Sequence, residues 1–190
     1  MSVSTAAMTG DTFAAALLPL QRVVVFPGTV TPITVTRAQH LMLLDTSARD
    51  GSPLVVALQH ADGDIADVGC LVRAHRMVRL HDGSQRLALA AECRVRRAVA
   101  GAPHFVRDDI PAGADHDAAL TMLLTAIHTR LARVGAVLPD AIASAVGLEE
   151  TAYAAAALLL RHDPVMQQQL LESANFDTLT HALVATLAGR

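Results

Sequence analysis

The chain has 190 residues, 52% of them hydrophobic, and a formal net charge of −3, which suits one ordinary domain or two small subdomains and excludes disorder. Every one of its 15 basic residues is Arg. Without Lys there is no P-loop amine for nucleotide phosphates, no Schiff base and no Ser-Lys dyad, so those enzyme classes are excluded.

Met1 to Thr12 is small and polar, without the basic and apolar regions of a secretion signal, and reads as cytoplasmic. Leu20 to Phe26 holds the β-branched run Val23-Val24-Val25 and is expected to be a strand stopping at Pro27-Gly28. Val30 to Val35 resumes as a second strand, and Pro32 within it marks an edge or a bulge. Arg37 to Ala48 changes to helical period through Leu41, Leu44 and Ala48. Gly51-Ser52-Pro53 ends that helix, and Leu54 to Leu58 is an apolar strand.

Val68 to Leu80 and Gln85 to Val99 flank Asp82-Gly83, a hairpin signal. On the second arm Leu87, Leu89, Ala91, Cys93 and Val95 share one face by alternation, as in a half-buried antiparallel strand. A two-residue turn would set His81 against Ser84, Cys70 against Val95 and Cys93 against Val72. Both thiols would then lie diagonally on one face, reduced. Residues 13–110 thus form a β-rich unit.

Pro103 to Asp117 separates the halves, and Ala112 to Asp117 reads as a linker. Residues 117–189 read as a helical unit. Leu120, Leu123, Leu124, Ile127, Leu131 and Val134 make an apolar stripe, with Gly135 at the helix end. A second helix is expected from Pro139 and Asp140 to Val146, with Gly147 as its stop. Glu149 to Leu160 is Ala-rich and helical by propensity. Its apolar run is half the length of a bilayer span. Asp163-Pro164 opens a helix over Val165 to Ala174, and Asp177 is expected to cap the last one.

The site chemistry is sparse. The nine His have no metalloprotease or deaminase spacing, and Cys70 and Cys93 are too far apart for a zinc knuckle. No cofactor and no metal is expected. His75, His81, His128, His162 and His181 fit solvated or capping positions. Up to Ile110 there are 11 Arg against 10 acidic residues, and beyond it 4 Arg against 8, neither a nucleic-acid footprint. Arg73, Arg76, Arg79, Arg86, Arg94, Arg96 and Arg97 gather around the hairpin, but stacking aromatics are missing there. They read as a charge-blunted sheet.

The order of motifs resembles the N-terminal domain of Lon proteases: Leu18-Pro19-Leu20, then Val23-Val24-Val25-Phe26-Pro27-Gly28, Val30 and Pro32, and a helix beginning near Arg37. Asp67-Val68-Gly69, Asp82-Gly83 and Gln168-Gln169-Leu170-Leu171-Glu172 follow in the family's order, with Leu179, Leu183 and Leu187 in the closing helix. The resemblance covers Leu17 to Leu187. It implies an α+β fold: a mostly antiparallel, PUA-like pseudo-barrel followed by a helical bundle. It also implies a non-catalytic module, standalone or cut from a longer chain, that recruits unfolded or tagged protein clients to a protease or chaperone. A second copy of the chain is a further partner. The alternative is a small-ligand or RNA-binding module of the PUA-like type. Neither a membrane nor a nucleic acid is the expected partner of the first reading. Binding is expected around Phe26, Pro27, Gly28, Thr29, Thr31 and Pro32, where a Pro-interrupted strand leaves sheet edge for an extended client. The competing role for Phe26 is to plug the barrel.

Overall fold

The computed structural model describes residues 12–99, 102–111 and 115–189. In chain order the elements are β1 (Phe13–Ala14), β2 (Ala16–Leu20), β3 (Val30–Val35), α1 (Ala38–Asp50), β4 (Leu54–Gln59), β5 (Ile65–Arg79), β6 (Gln85–Arg97) and β7 (His104–Arg107). Then come α2 (His116–Arg133), α3 (Asp140–Ala143), α4 (Gly147–Leu159), α5 (Pro164–Leu171) and α6 (Phe176–Gly189).

The fold is α+β. Its sheet runs β1-β7-β6-β5-β4-β2, with β3 also on β6, and every pair but β2–β4 is antiparallel. The sheet curls on itself at the first two strands. Ala15 N–H donates to Pro103 and Ala16 N–H to Pro53, both at 3.0 Å, so one short segment is held from two ends of the sheet.

Alternation sorts β4 and β5 between two apolar clusters. Leu54, Val56, Cys70 and Val72 face a large core shared with the helices. Val55 and Leu71 face a small one with Ala15, Cys93, Val95 and Phe105. The helical stripe holds in its middle: Leu123, Ile127 and Leu131 of α2 are buried in the large core beside Leu179, Leu183 and Leu187 of α6. Leu120 and Leu124 are half-buried, whereas Val134, expected in the stripe, follows the helix end and is exposed. Gly69 is where sheet backbones press closest. A Cβ there would stand 2.3 Å from the Val56 carbonyl oxygen, so this position admits only hydrogen.

Several expectations need correction. The first long strand ends at Leu20, and residues 23–26 are not strand. Arg22 takes a left-handed φ of 72°, turning the chain away, and Val24, Val25 and Phe26 are buried as a core segment instead. The Val25 carbonyl there accepts the Cys70 thiol at 3.0 Å. A buried β-branched run looks like strand whether or not it finds a partner.

The hairpin turn has three residues, not two. Leu80 N–H donates to Ser84 (2.8 Å), Gly83 N–H donates back to Leu80 (3.1 Å), and Gly83 supplies a φ of 80°. The register set there shifts once between His75 and Val78, and beyond a second shift Cys70 stands against Arg94 and Leu71 against Cys93. That second shift, between Leu71 and Val72, leaves Glu92 as an extra residue on β6. The strict alternation of Leu87 to Val95 is broken there. Leu87, Leu89 and Ala91 enter the large core, whereas Cys93 and Val95 enter the small one. The two thiols, both free and buried, lie in different clusters rather than diagonally on one face.

Helix ends moved by a few residues. Asp115, expected in the linker, accepts from Ala118 N–H as the N-cap of α2, while residues 112–114 lie outside the described residues. The helix after Pro139 stops at Ala143, short of Val146, and Gly147 opens α4 rather than ending α3. The Val146 N–H there is held by Glu150 at 2.8 Å. α5 stops at Leu171, short of Ala174. Asn175, not Asp177, caps α6, accepting from Thr178 N–H at 2.8 Å.

Candidate protein-binding surface

Phe26, Pro27, Gly28 and Thr29 form one tight turn. Thr29 N–H donates to the Phe26 carbonyl at 3.1 Å, with Pro27 and a left-handed Gly28 (φ 72°) as the central pair, the residue order of a type II turn. The Thr29 hydroxyl donates to the same carbonyl at 2.6 Å. Phe26 itself is 0% exposed. Its ring lies 5.8 Å from that of Tyr153, which in turn meets Phe176 at 5.6 Å. Burial, and then the Glu149 carboxylate, push the Tyr153 phenol up from its ordinary value. Phe26 is therefore in the core, and the turn throws the chain onto β6.

β3 lies along β6 from Val30 opposite Ala90 to Val35 opposite Gln85, and its other edge has no strand partner among the described residues. Ala91 N–H donates to Thr29 O, so Thr31, Ile33 and Val35 also turn their backbone groups toward β6. Val30, Pro32 and Thr34 turn theirs outward. Pro32 has no N–H to offer, which is why an edge tolerates it. The side chains split the same way: Ile33 and Val35 are buried, whereas Val30 (66% exposed), Pro32 and Thr34 face solvent.

Of the six residues named from sequence, then, Gly28 and Pro32 are exposed, Pro27, Thr29 and Thr31 half-buried, and Phe26 buried. Val30 and Thr34, exposed on the same face as Pro32, are not among the six. The signal was present in the alternation of Val30, Pro32 and Thr34 against Ile33 and Val35.

The register extends this outer face into three rows: Val30, Ala90 and Arg73; Pro32, Ala88 and His75; Thr34, Arg86 and Val78. Val78 is 56% exposed. Arg73 is engaged by Glu92. Arg86 is exposed and makes no ion pair among the described residues.

Two of the hairpin arginines are not part of a solvated face. Arg94 is 4% exposed because the Glu92 bulge turns it inward. It donates to the carbonyls of Leu171 (2.9 Å) and Ser173 (2.8 Å) and to Asp108 (2.8 Å). Arg97 is largely covered as well, beside Asp67. Gln168 adds a second strap, donating to Val68 O at 3.0 Å and to Glu172 at 2.7 Å.

A separate groove of about 520 Å³ opens between the first strands and α1, with Ala14, Ala16, Met42, Leu43 and Pro53 in its walls. Phe13 is half-buried and Phe26, Phe105, Phe176 and Tyr153 are buried, so none of the chain's five aromatics offers an exposed stacking platform. Among the described residues no cluster of His, Cys, Asp or Glu could hold a metal ion, and no helix is long and apolar enough to cross a membrane.

Comparison with known proteins supplies the context for this surface. Residues 14–187 match the family model of the substrate-binding domain of the ATP-dependent protease La (Lon). The chain is 32% identical over 90 residues to the Lon protease of Fusobacterium nucleatum subsp. nucleatum, 43% of this chain but 12% of that protein. It is also 32% identical over 92 residues to Lon protease 1 of Syntrophobacter fumaroxidans, 45% of this chain and 11% of that protein. The matched stretch thus spans about an eighth of those relatives or less. The fold is similar to the N-terminal domain of the Mycobacterium avium complex Lon protease, with a TM-score of 0.72 at 16% identity, covering 94% of this chain and 98% of that one. A Lon N-terminal domain protein from Xanthomonas campestris gives a TM-score of 0.61 at 21% identity, covering 93% and 98%.

Proposed function

The chain belongs to the substrate-binding domain family of the ATP-dependent Lon protease, and we propose that it binds unfolded or exposed apolar protein segments along the outer edge of β3, without catalysis of its own. The unpaired β3 edge carries this reading. An extended client can add main-chain hydrogen bonds at Val30 and Thr34 while its side chains lie against Val30, Pro32 and Ala88. The Phe26–Thr29 turn fixes where that edge begins. In this reading residues 13–110 make the contact and residues 117–189 support it through Arg94 and Gln168. The lack of Lys fits a role in recruitment rather than turnover. The lack of an exposed aromatic favours a protein over RNA.

Anisotropy with a labelled client, kept unfolded by reduction and alkylation, tests it against the same client folded. The unfolded form should bind and the folded form should not. Replacing Val30 and Thr34 together with Glu, both exposed and outside the core, should weaken binding about tenfold, the loss of a contact of about 1.4 kcal/mol. Equal affinity in that variant, with melting unchanged, would move the site off β3, and no binding to the wild type would end the reading.

A further inference from the structure

The outer edge of β3 differs in charge from one end to the other. At the Val30 end the nearest cation in register, Arg73, is already matched by Glu92. At the Thr34 end Arg86 stands directly opposite on β6 and Arg37 follows two residues beyond β3. Both are exposed, and neither has an ion-pair partner among the described residues. The nearby carboxylate, Asp45, lies on the other side of the sheet, where the buried Gln85 amide donates to it at 3.0 Å.

Strands sit about 4.8 Å apart, so an added strand would place its residue beside Thr34 two spacings, roughly 10 Å, from the Arg86 backbone. A Glu side chain and an Arg side chain lying toward each other span that gap. Beside Val30 the neighbours are Val30 itself and Ala90, which suit an aliphatic side chain. Val30 and Thr34 are on one face of the strand, two periods apart. Pro32 between them forms no donor bond, so recognition falls on the two ends.

We propose that the β3 edge selects extended client segments carrying an aliphatic and an acidic side chain four residues apart on one face, the aliphatic one beside Val30 and the acidic one beside Thr34. This rests on the protein-binding reading above and names the class of client.

The probe is a set of labelled ten-residue Thr-rich peptides with Leu and, four residues away, Glu, Gln or Arg. At low salt the Glu peptide should bind the 190-residue chain about threefold to fivefold tighter than the Gln peptide, the scale of a solvent-exposed ion pair. That advantage should fade in 0.5 M salt. In Arg86→Glu the order should reverse, with the Arg peptide preferred. The reversal is a readout that simple loss of fold cannot produce, and circular dichroism should show the variant folded. Equal binding of all three peptides overturns the acidic preference while leaving the protein-binding reading in place. No binding by any of them, together with no binding of the unfolded client, overturns both. Binding of an RNA homopolymer that displaces the Glu peptide and depends on Arg86 would overturn the proposal in favour of nucleic acid.

Discussion

Arg94 on β6 donates through one nitrogen to the carbonyls of both Leu171 and Ser173, at 2.9 and 2.8 Å, closing the C-terminal end of α5 with a cation from the sheet. The carbonyls at a helix C-terminus lack intrahelical donors and carry negative partial charge, so a guanidinium there satisfies both needs. Its other nitrogens reach Asp108. Replacing it by Met keeps the bulk and strands the two carbonyls, while Asp108 keeps Arg96 at 3.0 Å as its remaining cation. Arg94→Met should lose about 2–4 kcal/mol of stability, the range for one partner removed from a buried charged network. Urea melts check this. A loss under 1 kcal/mol would mean that Arg94 does not tie the sheet to the helices.

Gly69 and Gly28 separate two reasons for glycine. At Gly69 an added methyl meets the Val56 carbonyl oxygen at 2.3 Å and the Ala57 Cβ at 3.2 Å, neither of them the far end of a flexible side chain. At Gly28 nothing stands within 4 Å, and only the φ of 72° resists. Gly28→Ala should therefore cost about 1–2 kcal/mol of left-handed strain. Gly69→Ala should cost more, about 3 kcal/mol, because β4 and β5 must part. Paired denaturation curves give the order, and equal losses would contradict it.

These two sites also show what could be read in advance. The Phe-Pro-Gly turn is encoded locally, since Pro fixes one dihedral and Gly admits the other, so the turn was legible. That Phe26 is buried depends on Tyr153 and Phe176, far along the chain, and local pattern holds no trace of them. Helical stripes such as Leu123-Ile127-Leu131 survive because their period is local. The β6 alternation did not survive. Whether Glu92 is paired or bulged is decided by how β5 lies beside it, and that choice turned Arg94 from a surface charge into a buried strap. The exposed face of β3 was half legible: Pro32 announced an edge, and counting by twos from it would have reached Val30 and Thr34.

Cys70 and Tyr153 make the fold sensitive to alkali. Burial raises both groups, Cys70 further by the nearby Cys93 and Tyr153 further by Glu149, from ordinary values of 9.0 and 10.0. A raised folded value means the unfolded chain loses its proton first. The stabilisation is complete below about pH 9 and is lost as pH climbs from the unfolded values toward the folded ones. Each such group can remove up to about 1.4 kcal/mol per pH unit in that window. Melting temperature should be flat from pH 7 to 8.5 and fall steeply above 9.5, and Cys70→Ala should blunt the first part of the fall. In the native protein at pH 8 both thiols should resist iodoacetamide and react fully in guanidinium. A native Cys70 that alkylates as fast as free cysteine would contradict its burial.

Pro32 is the one residue on the outward-facing row of β3 that cannot donate, and it stands midway between Val30 and Thr34. An exposed strand edge with every donor intact is a template for a second copy of itself, and proline on the edge is one way to blunt it. Antiparallel pairing of two β3 strands about Pro32 would bring the two rings together at the centre, where each strand lacks its bond. Pro32→Val restores the N–H, suits extended backbone and adds an aliphatic surface beside Val30. The substitution should leave the monomer's melting temperature within a few degrees, since the side chain is exposed and the N–H faces away from β6. It should also promote self-association: sedimentation velocity at increasing concentration should show a dimer or larger species for Pro32→Val beyond that of the wild type. Adding Val30→Lys and Thr34→Lys to the same variant should reverse the effect, because pairing about Pro32 sets residue 30 of one strand against residue 34 of the other and so puts like charges across the new pair. A Pro32→Val chain that sediments like wild type up to high concentration would mean that the edge is guarded by the neighbouring Arg86 and Arg37 rather than by the missing donor, and the Arg86→Gln, Pro32→Val double variant would then be the one to associate.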